Sequence, residues 1–411
     1  MGAHARPTPV VVVTGGVTPA ATDGVRLVID HVCATDPGTA VAHHDLGAVR
    51  DGLVRRTVRH RGVTEMRTLP LARGCVSCTL REDVLSLLRE LGRSPDVTRI
   101  VLHLDPALDP EPACWAIRHV VVDGAPVTDT VELRGVVTVI DEGAWFEAAT
   151  SDVAVSDAGL ADLPDDERTL AQLVVGQAEF ADVLVTVGTA EPWERARTTA
   201  VLARLSPRGL RLAAPGPAVL LDDLPPGARR GEPTDPHAPL LAGEPPLGPV
   251  GGVRLVTFTA RRPFHPDRLH AAIDVLLDGV VRARGRIWLA TRPEAVLWLG
   301  SAGGGLEIGY AGAWLAATDD WSTASPERRA AADLRWHARF GDRAQELAVL
   351  VHDADPADIA TALRGALLTD AELAAGEEAW RALPDPFGRH HTDPCEDIAT
   401  APAHRAQEDQ R

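Results

Sequence analysis

VVVVTGGVTPAATDG, residues 10–24, reads as a buried strand running straight into a glycine turn and then into a helix. Four consecutive valines suit a strand covered on both faces, and paired glycines let the backbone turn sharply or approach a ligand closely. An apolar-periodic stretch follows over residues 25–32. Working outward, the first half repeats the alternation. Further strands are expected at 39–43, 63–70, 99–104 (RIVLHL), 135–140 (GVVTVI) and 181–187 (ADVLVTV), with helices near 80–91 and 170–180. Strands alternating with helical segments imply βαβ units and an α/β fold on a parallel sheet flanked by helices.

Residues 206–252 are loaded with proline and glycine, which sustain neither a long helix nor a long strand, so they read as a linker between domains 1–205 and 253–387. The second block predicts a strand at 253–259, a helix at 266–277 and a strand pair at 286–290 and 295–300. A strand at 307–310, a helix at 326–339, a strand at 345–352 and a helix at 356–367 complete a smaller α+β domain. Residues 388–411 are polar and charged and are expected to be disordered.

Composition excludes several function classes. The 411 residues hold no apolar run long enough for a bilayer, and MGAHARPTPVVVVTGG lacks the pattern of a secretory leader, so a cytoplasmic location is expected. A formal charge of −17 disfavours DNA and anionic membranes as partners. All 41 basic residues are arginine, which removes every mechanism that needs a lysine amine. The five cysteines are too few and scattered for a disulfide framework. Cys33 and Cys114 read as ordinary thiols, while Cys75 and Cys78 form a C-x-x-C.

Several segments in one order carry a resemblance. They are VVVVTGG, HHDLGAVRDG (43–52), RGCVSCTLREDV (73–84), GVVTVIDEGAWFEA and QAEFADVLVTV, then RRPFHPDRLHA, GRIWLATRPEAVLWL, GDRAQELAVL and LLTDAELAAGEEAWRALPDPF. Together they resemble the CobW family of P-loop GTPases, over about residues 9–387, and in particular its zinc-limitation paralogues. Among these the chain is similar to the actinobacterial ribosome hibernation factor-recruiting GTPases. The resemblance implies a P-loop NTPase-like domain followed by the CobW carboxy-terminal domain.

It also exposes what has been replaced. A P-loop wraps phosphates with backbone N–H groups, reaches them with a lysine and holds Mg²⁺ with a serine or threonine. Against G-x-x-x-x-G-K-T, Gly15 keeps the first glycine, Ala20 and Ala21 take the positions of the second glycine and the lysine, and Thr22 keeps the Mg²⁺ position. Pro19 removes an amide from the cradle. In VLHLDPALDPEP the resemblance puts His103 at a glutamate and Pro106 at a γ-phosphate-sensing glycine, leaving Asp105 as the Walker B candidate. Val187, Gly188 and Ala190 stand where the family reads guanine with N-K-x-D. The nucleotide-contacting candidates are Gly15, Gly16, Thr22 and Asp105. Binding of GTP and Mg²⁺ is expected to be weak, and hydrolysis is not expected.

Cys75 and Cys78 sit on a turn entering a helix, a place that favours thiolate and suits capture of Zn²⁺. The family's third cysteine is Ser77 here. Tetrahedral zinc needs four ligands, and His43, His44, Asp45 and His103 are candidates to complete the set. His390, His391, Cys395 and His404 in the tail read as solvated residues. Arg261, Arg262, Arg268, Arg282, Arg284 and Arg286 read either as ordinary surface charge or as a basic patch for RNA or an acidic partner. Trp288, Trp298 and Trp314 read as core. The expected function is recruitment in zinc limitation, with a hibernation factor and the small ribosomal subunit as partners. A GTP-dependent zinc metallochaperone and a zinc-binding protein without nucleotide are the alternatives.

Overall fold

The computed structural model describes residues 6–72, 75–160, 166–213, 224, 228–241 and 243–388. Strand β1 (Thr8–Gly15) lies mid-sheet, flanked by β5 (Arg99–His103) and β8 (Val131–Asp141), both parallel to it. Outside β5 come β2 (Thr39–Asp45), β3 (Leu53–His60) and β4 (Val63–Pro70). Outside β8 come β9 (Val183–Val187) and β10 (Leu210–Ala213), giving the order β10-β9-β8-β1-β5-β2-β3-β4. Only β3 runs against the rest, so the β2–β3 and β3–β4 pairings are antiparallel. The α/β expectation holds, and each valine of β1 is buried because helices cover both faces.

Helix α1 (Pro19–Thr35) follows β1, α2 (Val76–Arg93) follows β4, and α3 (Pro110–His119) follows β5. The short α4 (Trp145–Ala149), then α5 (Leu170–Phe180) and α6 (Pro192–Leu205), complete the layer. Helix α1 lies close on the sheet at Gly24, where a Cβ would come within 2.7 Å of Val187 Cγ1. The bounds of β4 and α5 are those read from sequence. Strand β10 falls inside the span expected to be linker, and β3 was not anticipated.

The second domain is an antiparallel sheet in the order β11-β15-β12-β13-β14, from β11 (Arg254–Ala260), β12 (Val280–Ile287), β13 (Ala295–Ala302), β14 (Gly305–Ala313) and β15 (Gln345–Val351). Its helices are α7 (Pro266–Ala271), α8 (Pro326–Arg335), α9 (Pro356–Ala366), α10 (Asp370–Ala374) and α11 (Glu377–Arg381). The helix expected over 266–277 is split, with a 3₁₀ turn at Ile273–Leu276. Trp288 and Trp314 are buried as expected. Trp298 is half-buried and lines a cavity of about 480 Å³ between the domains, together with Arg208, Arg229 and Arg284.

The domains share a core. Ala171, Val174, Val175 and Ala178 of α5 pack with Val253, Val281, Ala302 and Leu350 of the second domain. The hairpin tip at Gly303 comes so near that a Cβ there would lie 2.3 Å from Ser151 O. Glu179 takes both Arg282 and Arg284, half-buried arginines two positions apart on β12. Among the described residues no helix is long and apolar enough to cross a membrane.

Candidate functional site: a self-bonded nucleotide loop and a cysteine turn

The loop between β1 and α1 keeps the backbone of a phosphate cradle. Gly15 and Gly16 have φ of +109° and +92°, and a Cβ on Gly15 would lie 2.6 Å from Val139 O, so no other residue fits there. Several of its donors, the amides of Ala21 and Thr22 and the hydroxyls of Thr18 and Thr22, bond within the chain. Thr18 is the N-cap of α1, its Oγ1 accepting from Ala21 N at 3.2 Å, and Pro19 at the first helical position has no N–H. The Thr18 hydroxyl donates to Asp141 Oδ2 at 2.7 Å, placing a carboxylate against the loop. Gly143 N donates to the other oxygen of Asp141 at 3.1 Å.

Thr22, which the resemblance aligns with the Mg²⁺ ligand, shares its one hydroxyl proton between Gly16 O at 2.9 Å and Thr18 O at 3.0 Å. Ala21, at the lysine position, is 3% exposed and packs in the valine layer with Val11, Val25 and Val139. The cavity beside the loop, lined by Gly15, Gly16, Thr18, Asp141 and Trp145, holds about 20 Å³, room for about one water. A helix N-terminus attracts anions through unsatisfied amides and its dipole. Here a hydroxyl and a carboxylate of the chain already meet that field.

Asp105 lies just past β5 and is buried. Its Oδ2 accepts from Leu46 N at 2.9 Å and its Oδ1 from Ala107 N at 3.0 Å, so the carboxylate pins the turn after β2. Burial pushes its pKa above the usual carboxylate range, only partly offset by those two N–H groups. Pro106 Cγ would lie 3.5 Å from a Cβ on Gly16, so its ring sits against the loop in place of an amide donor. Gly188 (φ +76°), which the resemblance aligns with the guanine-reading motif, lies against Asp141, whose Oδ1 would be 2.5 Å from a Cβ there.

The cysteine turn is built with the same device. Cys75 is the N-cap of α2, and its Sγ accepts from Cys78 N at 3.1 Å. Thr79 Oγ1 donates to Cys75 O at 2.8 Å and accepts from Ala72 N at 2.7 Å, fixing the turn. Arg73 and Gly74 lie outside the described residues. The candidate completing ligands are engaged elsewhere. His44 Nε2 lies 2.8 Å from Asp83 Oδ2, and Arg56 donates to Asp83 Oδ1 at 2.8 Å. Burial alone would raise the Asp83 pKa, but His44 and Arg56 outweigh it and the net shift is downward.

His43 stacks on His103 with centroids 4.1 Å apart, its Nδ1 lying 3.0 Å from His103 O. Burial, with the charge of His43 second, pushes His103 down to about 3. Asp45 Oδ1 accepts from Gly47 N at 2.7 Å. Among the described residues no three of His, Cys, Asp and Glu converge on one metal position.

Of the ordinary thiols, Cys114 is buried in the core and pushed up to about 12 by that burial, and Cys33 is half-buried near Arg59. The tail residues His390, His391, Cys395 and His404 lie outside the described residues. The arginines of the second domain do not form a patch. Arg282 and Arg284 pair with Glu179, Arg268 with Glu372, and Arg262 with Asp370. Arg286, 4% exposed, pairs with Glu346 and donates to Pro236 O and Ala238 O, tying residues 236–238 to the sheet. Arg261 donates to the carbonyls of Arg335, Gly341 and Arg343. Sequence reading missed Thr18 and Asp141. A threonine before a proline at a helix head is a capping signal, but its partner is distant in the chain.

Residues 10–200 match the CobW/HypB/UreG nucleotide-binding domain, and residues 253–367 match the C-terminal domain of the cobalamin synthesis protein cobW. A zinc chaperone of Mycobacterium tuberculosis is 47% identical over 378 residues, covering 89% of this chain and 90% of the relative. The zinc-regulated GTPase metalloprotein activator 1 of Dictyostelium discoideum is 28% identical over 330 residues, covering 77% of this chain and 69% of its own. The crystal structure of the Zn(II)-bound YjiA GTPase from E. coli aligns over 89% of this chain and 100% of its own, with a TM-score of 0.37 and 14% identity. With both domains matched in order, and nearly the whole chain aligned to that mycobacterial relative, the chain belongs to the CobW family.

Proposed function

We propose that this chain is a zinc-handling CobW protein that works by metal and partner binding, without GTP turnover. The observation that carries this reading is the contrast within the first domain. The C-x-x-C turn keeps its two sulfurs at a helix head, while the nucleotide loop is bonded to itself through Thr18, Thr22 and Asp141. The relatives named as a zinc chaperone and a zinc-regulated metalloprotein activator support zinc as the metal. Two thiolates supply half of a tetrahedral shell. The other half is left to donors from a partner, which suits handover better than storage.

The partner in this reading is a ribosome hibernation factor brought to the small ribosomal subunit during zinc limitation. Its support is the resemblance of the second half of the chain to the zinc-limitation group, together with the lost nucleotide chemistry, since recruitment needs surfaces rather than hydrolysis. Metal content tests the zinc part: one equivalent is expected on the purified wild type and none on the Cys75→Ser, Cys78→Ser variant, and unchanged content in the variant rejects it. Affinity capture from zinc-starved cells tests the partner part: small-subunit proteins and a hibernation factor are expected, and their absence rejects it.

A further inference from the structure

Strand β4 closes one edge of the eight-stranded sheet, and its residues from Val63 to Thr68 are all exposed, Val63 at 62% and Met66 at 68%. A long, uncovered edge is a template for another strand, and proteins usually blunt it with charges that repel a second copy. The sequence here, Val63-Thr64-Glu65-Met66-Arg67-Thr68-Leu69, does the reverse. Placed antiparallel to itself about Met66, it sets Glu65 opposite Arg67, Thr64 opposite Thr68, Val63 opposite Leu69 and Met66 opposite Met66.

Backbone parity agrees with this register. Arg61 and Gly62, with φ of +49° and +78°, make the two-residue turn joining β3 to β4, and His60 pairs with Val63. That turn makes His60–Val63 a hydrogen-bonded pair, so Val63, Glu65, Arg67 and Leu69 bond inward to β3. Thr64, Met66 and Thr68 therefore turn their N–H and C=O groups outward. A two-fold axis through Met66 pairs these outward groups with one another. Glu65 and Arg67 then fall at non-hydrogen-bonded positions, where Cα atoms approach to about 4.5 Å and side chains interact most strongly. Within its own hairpin Arg67 stands opposite Arg56, itself paired with Asp83, so Arg67 faces no carboxylate across the hairpin and one from outside improves its surroundings. Pro70, which has no N–H, ends the run.

We propose that a second copy of this chain docks on β4, joining two sheets across a two-fold axis at Met66. The test is sedimentation of the full chain and two charge variants. The wild type is expected to dimerise, and Glu65→Arg is expected to weaken the dimer about thirtyfold or more by setting arginine against arginine twice. Arg67→Glu is expected to do the same, and an equimolar mixture of the two variants is expected to form a heterodimer, which also shows that both remain folded. A wild type still monomeric at about 1 mM overturns the proposal. So does a Glu65→Arg variant that dimerises like the wild type, or a mixture that stays monomeric.

Discussion

The heads of α1 and α2 are built alike, with opposite chemical consequences. In each, the residue before the helix turns its side chain back to accept the amide three residues on: Thr18 from Ala21 at 3.2 Å, and Cys75 from Cys78 at 3.1 Å. At α1 the cap takes up a donor that a triphosphate needs and ties the loop to the carboxylate of Asp141. At α2 the capping atom is itself a metal ligand type, so the turn that orders the helix also presents the sulfur. A helix N-terminus is an anion site only while its amides are unsatisfied. The difference between these two turns is which atom the cap uses.

The largest expected effect lies at the cysteine turn. Replacing both Cys75 and Cys78 by serine is expected to lower zinc affinity by about a thousandfold, read by competition with a chromophoric chelator. Thr18→Ala is expected to leave zinc affinity unchanged; an equal loss there means the two turns are not independent. Next comes Ala21→Lys, which restores the missing residue type to a site packed with valines. It is expected to lower stability by about 3 kcal/mol in urea unfolding without restoring hydrolysis. A stable, GTP-hydrolysing Ala21→Lys protein removes the contrast.

A smaller effect separates the loop's surroundings by pH. His103 is held neutral in the fold down to about 3, whereas the unfolded chain takes up a proton below the ordinary value of 6.5. Between those values the unfolded state binds more protons, so stability falls as pH falls. By pH 5 this group removes about 2 kcal/mol. His103→Gln is expected to show a correspondingly smaller drop in denaturant midpoint between pH 7 and pH 5, and an identical drop excludes His103 as the source. Smallest is Thr18→Ala itself, expected to cost about 1 kcal/mol through loss of the cap.

Much of the fold was legible because the valine runs of β1, β8 and β9 are buried on both faces and read as nothing else. Strand β3 was not, since Arg55, Arg56 and Arg59 mask its alternation, and β10 hides beside a proline-rich stretch. The replacements at Ala21, Pro106 and Ala190 were read through the resemblance to the CobW family, which sets the residue type expected at each position. The closure of the loop was not, because Thr18 and Asp141 stand 123 positions apart and meet only through the adjacency of β1 and β8. The arginines of β12 suggested a patch for the same reason: Glu179 is over a hundred positions away, and sequence spacing does not reveal it.

The loop's own groups take up the Ala21 amide and the Thr18 and Thr22 hydroxyls, which a bound triphosphate and its Mg²⁺ would need. Calorimetric titration of the full chain with GTP and Mg²⁺, paired with a phosphate-release assay, tests this most directly. The expected result is no saturable binding tighter than about 1 mM and no phosphate release above buffer. Binding at about 1 μM, with turnover abolished by Thr22→Ala, contradicts it.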